Sequence, residues 1–319
     1  MKTAIITGVA GFIGSSLAEK LLKDNFKVVG IDNFTNYYSP HIKEKNIENC
    51  LKNTNFSLIH QDLDSLDLST IFENTDYIFH LSAQPGVRAS WGKEFAVYVK
   101  NNISVTQKIL ESLKNNTTLK KFIFASSSSV YGNQSSIMNE DTSLTKPVSP
   151  YGVTKLAAEN LVNLYFKNYE IPTISLRYFT VYGPRQRPDM AFSRFFRSII
   201  KDKKLTIFGN GEQARDFTYV DDVVDAIQGL LFKGMNSGVI QIGPNESHSI
   251  ANIAEKIVHL SGKGIDIIFD ESKPEGDKDR TADSSKARQI IKWEQKVSID
   301  DGLESTYKWA SDYLNKNLS

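Results

Sequence analysis

One feature constrains the fold of this chain more than any other: strand-sized apolar runs alternate with helix-sized amphipathic stretches. The runs fall at residues 4–7, 27–31, 56–60, 77–81, 122–125 and 173–176, and the stretches between them include 13–22, 97–113 and 156–169. A strand followed by a helix and then by another strand re-enters the same sheet in the same direction. The pattern therefore predicts an α/β chain built on a parallel, doubly wound sheet over roughly the first 180 residues. Beyond Arg177 the rhythm changes to a Pro- and Arg-rich turn at 183–188, a helical stretch at 192–200 and a strand at 205–208. A second, smaller α/β lobe starts here. The apolar runs 223–231 and 238–242 can carry the chain back to the first lobe, so the expected domains interleave. Residues 1–180 with a return segment of about 217–243 make the first, and 181–216 with 244–319 make the second. A chain of 319 residues exceeds the length at which one core usually keeps growing, in keeping with two lobes.

The charge balance narrows the partners. Lysine and arginine number 38 against 37 aspartates and glutamates, a formal charge of +1. That gives no electrostatic reason to expect a nucleic acid or an anionic membrane, and a small polar ligand fits better. Cys50 is the only cysteine, so no intramolecular disulfide forms and a reducing cytoplasm is expected. None of the five histidines stands at ligand spacing from another or from a Cys/Asp cluster, so no metal is expected. No run of about 18 apolar residues without charge occurs, which argues against a membrane span. The apolar start, residues 1–14, is interrupted by three glycines and reads as a buried strand and turn, not as a leader.

That turn is informative because of what surrounds it. The first strand runs directly into Gly8, Gly11 and Gly14, with Phe12 and Ile13 between the last two, and then into a helix. Glycines there permit a tight turn and let the backbone approach a pyrophosphate, while the helix N-terminus offers unpaired N–H groups to the anion. Asp32 ends the second strand 18 residues after Gly14, where a carboxylate can accept hydrogen bonds from a ribose diol and repel a 2′-phosphate. Asn33 follows it instead of an arginine, so NAD is favoured over NADP. Asp62, with Leu63 beside it, comes after the third strand. It either meets the adenine amine or simply caps a helix.

Tyr151 and Lys155 stand four residues apart at the start of a helical stretch and share one face. A lysine ammonium, together with a nicotinamide cation, lowers the proton affinity of a neighbouring phenol and makes it a usable base. Residues 126–129, all serine, follow the strand 122–125 at the sheet edge where open α/β sheets bind ligands.

The segments GVAGFIG, SSSSVYG and YGVTK, in this order, resemble the extended short-chain dehydrogenase/reductase family over almost the whole chain. The resemblance implies a Rossmann-like fold and a serine and tyrosine pair acting on a substrate hydroxyl, with a lysine anchoring the nicotinamide ribose. Ser127, Tyr151 and Lys155 match those roles, flanked by Ser128 and Ser129. It also implies that Leu81, Ser82, Ala83 and Gln84 line the pyrophosphate and nicotinamide ribose, with Asn102 near the cofactor and Tyr178 beside the nicotinamide. In ARDFTYVDD, Arg215 matches an arginine that binds a diphosphate in nucleotide-sugar members, and Phe208 matches the residue near uracil.

Relatives that dehydrate or decarboxylate a sugar typically carry an acid just before VYG, where this chain has Ser129. That favours epimerisation, in which the keto sugar is simply reduced again. DNFTNYYSP, AQPGVRAS and VYGPRQRPDMAF look like segments of UDP-glucuronate 4-epimerases, with Thr180 where many UDP-glucose epimerases have asparagine. Within that resemblance Arg187 is expected on the sugar carboxylate, because guanidinium and carboxylate form a two-point pair. Thr180 is expected on the same group, Arg88 is a second candidate, and Pro85 lies beside the sugar. Arg185 and Arg187 could instead be a surface basic pair after a turn. KPEGDKDRTAD resembles a nucleotide-clamping segment, but Lys273 and Pro274 stand where several relatives have arginine, leaving Arg280 to compensate. A homodimer through helices 97–113 and 156–169 is implied by the same resemblance. The alternatives are a UDP-glucose or UDP-N-acetylglucosamine 4-epimerase, a UDP-glucuronate decarboxylase and a non-catalytic NAD-binding sensor.

Overall fold

A computed structural model describes residues 1–134, 137–232, 235–272 and 280–317. Its strands, in chain order, are β1 Thr3–Thr7, β2 Lys27–Asp32, β3 Phe56–His60, β4 Tyr77–His80, β5 Lys121–Ser127, β6 Thr173–Tyr178, β7 Thr180–Tyr182, β8 Leu205–Phe208, β9 Ala214–Tyr219, β10 Ser237–Ile242, β11 Ser247–Ser249 and β12 Ile267–Asp270. Seven of them form one parallel sheet in the order β10-β6-β5-β4-β1-β2-β3. This is the doubly wound, Rossmann-like fold that the alternation predicts. The order reverses between β1 and β4, and a crevice opens beyond the carboxyl ends of those two strands.

The period of two along each strand explains why helices cover both faces. Ile5, Ile31, Ile78, Phe122 and Phe124 point to one face, where Val105, Ile109, Ala158 and Val162 pack on them. Ala4, Ile6, Val28, Phe79, Ile123, Ile174 and Leu176 point to the other, against Leu17, Leu21, Val224 and Ile227. Strands buried on both faces read as continuous apolar runs instead of alternating ones. Each fully buried aliphatic or aromatic side chain contributes about 1.5–3 kcal/mol.

After β6 the chain builds two further small sheets, β11-β9-β7 and β12-β8. Helix Val220–Phe232 and strand β10 lead back to the main sheet, where β10 pairs in parallel with β6. The second core cluster shares residues with this region: Phe192, Leu205, Ile253 and Leu303 are continuous with Ala4 and Leu17. The helical stretch expected at 97–113 is present but changes pitch, since Phe95–Tyr98 and Val105–Ser112 are α-helical and Val99–Ser104 between them is π-helical. No helix among the described residues is long and apolar enough to cross a membrane.

Candidate active site

The glycine-rich turn takes its shape from close backbone packing. Gly8 has φ +73°, and a Cβ there would stand 2.8 Å from the backbone of Ser82; one on Gly14 would stand 2.2 Å from the Gly8 carbonyl oxygen. Helix Phe12–Lys23 therefore starts directly against β1 and β4, with no side-chain cap at Gly11 and no acidic residue in its first turn. Its leading N–H groups are left to an anion. The Asp32 carboxylate accepts from Ala10 N at 3.0 Å and Phe34 N at 2.9 Å, which fixes it at the rim of the same cleft. Asp62 does cap a short helix, accepting from Asp64 N at 2.9 Å, and its other oxygen accepts from Asn33 Nδ2 at 3.1 Å.

One continuous cleft is lined by Gly8, Gly11, Phe12, Ile13, Gly14, Asp32, Asn33, Asp62, Leu63, Leu81, Ser82, Ala83, Gln84, Pro85, Ser126, Tyr151, Lys155, Tyr178 and Arg187. Asn102 acts on it indirectly: its Oδ1 accepts from Gln84 N at 2.7 Å, and its Nδ2 donates to Gln84 O and Thr154 Oγ1. The Tyr178 hydroxyl is buried with no hydrogen-bond partner among the described residues, and burial drives its pKa upward. A polar atom stranded in the cleft wall, a bare helix N-terminus and a ribose-type carboxylate at the far rim together fit a dinucleotide.

Helix Pro150–Tyr169 delivers the polar pair. Ser149 caps it by accepting from Gly152 N at 3.1 Å, and Pro150 occupies the first turn. Gly152 lets the helix approach the serine turn, since a Cβ there would lie 2.6 Å from the Ser129 carbonyl oxygen. Lys155 Nζ donates to Ala125 O at 2.8 Å, and burial lowers its pKa to about 7. Burial raises the Tyr151 phenol, and Arg187, the Ser127 hydroxyl and Arg280 pull it back down. Within the chain, the groups that lower the phenol are thus the two arginines and Ser127. Ser127 Oγ accepts from Ser129 N at 3.1 Å, Ser128 is buried, and Ser129 Oγ accepts from Arg280 Nη1 at 3.2 Å.

The other expected sugar and nucleotide residues lie outside this cleft's lining. Thr180 opens β7. The Arg88 guanidinium lies 5.1 Å from the Phe208 ring centre, on whose ring Arg194 also stacks at 4.3 Å. Arg215 and Arg280 are bridged backbone to backbone. Of the two arginines after the turn, Arg185 pairs with Glu19 at 2.7 Å, whereas Arg187 binds Asp189 through two hydrogen bonds of 3.0 Å. Lys273 and Pro274 lie outside the described residues. Among the described residues no group of three or more His, Cys, Asp or Glu side chains could hold a metal ion.

Several residues escaped the sequence reading. Tyr37, Tyr38, Gln61 and Met190 also line the cleft. Beneath it Glu159 accepts from Ser126 Oγ at 2.6 Å and from both Nε and Nη2 of Arg177, a buried ion pair that ties helix Pro150–Tyr169 to β5 and β6. Glu159 lies one turn beyond Lys155 on the same face, so helical spacing was a usable signal. Asp216 joins distant segments by accepting from the backbone of Asn245, Glu246 and Ala282.

Comparison with known proteins agrees with this geometry. The model of the family described as GDP-mannose 4,6 dehydratase matches residues 5–306. An uncharacterized UDP-glucose epimerase, YtcB, of Bacillus subtilis is 44% identical over 310 residues, covering 96% of this chain and 97% of that protein. A UDP-glucuronate 4-epimerase of Thermodesulfobacterium geofontis is 38% identical over 97% of this chain and 96% of its own. The crystal structure of UDP-glucuronic acid 4-epimerase from Bacillus cereus, in complex with UDP-glucuronic acid and NAD, superposes with a TM-score of 0.93 at 46% identity, covering 98% of this chain and 99% of that one. With its parallel sheet, glycine turn and Tyr151/Lys155 helix, this chain belongs to the GDP-mannose 4,6-dehydratase family of extended short-chain dehydrogenases/reductases.

Proposed function

We propose that this chain is an NAD-dependent UDP-sugar 4-epimerase whose substrate is UDP-glucuronate, which it interconverts with UDP-galacturonate. The observation that carries the choice of sugar is the position of Arg187. Its guanidinium lines the same cleft as Tyr151 and lies near enough to lower the phenol's proton affinity. In a uronate the carboxyl carbon C6 is two bonds from C4, so a residue that grips the carboxylate must stand beside the base that acts on O4. Arg187 meets that requirement.

In this reading Tyr151 takes the proton from O4, with Ser127 hydrogen-bonding the same oxygen. NAD bound in the cleft takes the hydride from C4 and returns it to the other face. Lys155 and Asp32 hold the two ribose ends, Gly8, Gly11 and Gly14 admit the pyrophosphate, and Leu81 to Gln84 with Tyr178 wall the nicotinamide. Arg187 and Thr180 hold the carboxylate, Pro85 borders the sugar, Arg215 and Arg280 meet the diphosphate, and Phe208, with Arg88 on its ring, meets the base. Ser129 supplies no acid to move a proton at C5, so the 4-keto sugar is reduced and not eliminated. Residues 1–180 with 217–243 serve the cofactor, and 181–216 with 244–319 serve the nucleotide sugar. The chain works in the cytoplasm as a homodimer, and exposed Val97, Leu164 and Tyr169 on the two expected interface helices support that assembly. A monomer by light scattering at micromolar concentration would remove the dimer.

The chain's similarity to a UDP-glucose epimerase favours a second reading, the same reaction on a neutral sugar. A panel of UDP-sugars with product analysis separates the two. UDP-galacturonate formed from UDP-glucuronate is the expected result, and turnover of neutral sugars alone would transfer the assignment to the second reading.

A further inference from the structure

We propose that Asp189 is a specificity-determining positioning residue that grips one edge of the Arg187 guanidinium and leaves the other edge for the substrate's carboxylate. The proposal rests on the reading of Arg187 as the carboxylate holder. A guanidinium is planar and has two edges, each able to bind a carboxylate through two parallel N–H bonds. Asp189 takes the side edge: Arg187 Nε donates to Oδ1 and Nη2 to Oδ2, both at 3.0 Å. Nη1 makes no hydrogen bond among the described residues, and Arg187 lines the same cleft as Tyr151.

The pair is itself held from a third segment. Tyr37, on the loop after β2, donates its hydroxyl to Asp189 Oδ2 at 3.4 Å, and its ring centre lies 5.6 Å from the Arg187 guanidinium. Gly86 makes room for it, since a Cβ there would stand 2.4 Å from the Tyr37 hydroxyl. The Arg187 side chain is only 21% exposed, against 44% for Asp189, so the cation points inward and its partner sits at the rim. A free arginine would have to be ordered anew by each substrate, whereas this one is ordered beforehand. The pair is neutral until a uronate adds its charge, and a neutral sugar gains nothing from the waiting edge.

The test is calorimetric titration of the NAD-loaded chain, carrying Tyr151→Phe to stop turnover, with UDP-glucuronate and with UDP-glucose. Adding Asp189→Asn should raise the Kd for UDP-glucuronate, relative to that for UDP-glucose, by on the order of tenfold, the loss of one charge-assisted hydrogen bond. Tyr37→Phe should move the ratio in the same direction by less. In the active chain the Asp189→Asn loss should sit in KM more than in kcat. An unchanged ratio overturns the proposal. So does tighter binding of UDP-glucuronate, which would make Asp189 a competitor for the fork. Arg187→Ala in the same titrations separates the two levels of the argument. If it too leaves the ratio unchanged, the uronate reading fails; if it collapses the ratio while Asp189→Asn does not, only the role of Asp189 falls.

Discussion

The two ends of the cleft are built on different principles. At the cofactor end the shape comes from backbone packing that leaves no room for a Cβ: Gly14 closes on the Gly8 carbonyl within one short turn, and Gly8 meets the Ser82 main chain just after β4. At the sugar end the shape comes from side chains drawn from segments far apart, each engaged by another group of the chain: Arg187 by Asp189, Arg280 by Ser129, Arg88 by the Phe208 ring. A backbone cradle offers one arrangement. Side-chain pairs can be exchanged for contacts with a ligand, which is how one scaffold serves several sugars. Changes at the first end should therefore alter cofactor binding in general, and changes at the second should alter discrimination between substrates.

Tyr151 stands at the seam and should break that division. Tyr151→Phe keeps the ring and the NAD site but removes the proton carrier, so turnover should fall by about 10² to 10⁴-fold while NAD binding persists. Rates near wild type would remove Tyr151 from the mechanism. At the sugar end, Arg187→Ala should lower activity on UDP-glucuronate far more than on UDP-glucose, by about 2 to 5 kcal/mol of discrimination. Arg187→Lys should recover little, because an ammonium cannot form the planar fork. Because a β-keto acid loses CO₂ readily, the loosened site should also release some pentose product, measurable in the same assays. Equal losses on both sugars would erase the contrast between the two ends.

At the cofactor end, Asp32→Ala should weaken NAD binding by roughly ten- to a hundredfold and reduce discrimination against NADP, since a charged acceptor and a repulsive charge leave together. An unchanged NAD to NADP ratio of dissociation constants would displace Asp32 from the ribose. The smallest expected effect is on stability. Lys155 has its pKa lowered by burial from the ordinary 10.5 to about 7, so between those values the unfolded chain binds a proton that the folded chain does not. Stability contributed at this site therefore rises with pH across that window. Lys155→Met should raise the Tm of the cofactor-free chain most at pH 6 to 7, and the gain should shrink as pH approaches 10. A gain independent of pH would show that the lysine is charged at no cost in the fold.

The cofactor end was largely legible because its determinants are local. The strand, the three glycines and the helix follow one another in residues 3–23, and Asp32 ends the next strand. The serine turn and the Tyr151/Lys155 spacing were legible for the same reason. The π-helical pitch at residues 99–104 was not, because so short a stretch does not reveal a change of helical period. Glu159 and Arg177 were missed because their meaning lies in a buried pairing across two elements, although Glu159 shares a helix face with Lys155. Arg185 and Arg187 stand two residues apart, and apart from the resemblance that singles out Arg187 nothing local separates them. Only packing sends one to Glu19 and the other to Asp189 beside Tyr151.

The sequence by itself determined the sheet, its parallel sense, the glycine turn and the placing of Tyr151 and Lys155 on one helix face, because each depends on periodicity or on steric rules that act over a few residues. Tertiary structure alone decided which cations face the cleft, which carboxylates hold them, and that burial raises the proton affinity of Tyr151 while lowering that of Lys155. Those outcomes depend on desolvation and on the distance between charges, and both are set by segments that meet only when the chain has folded.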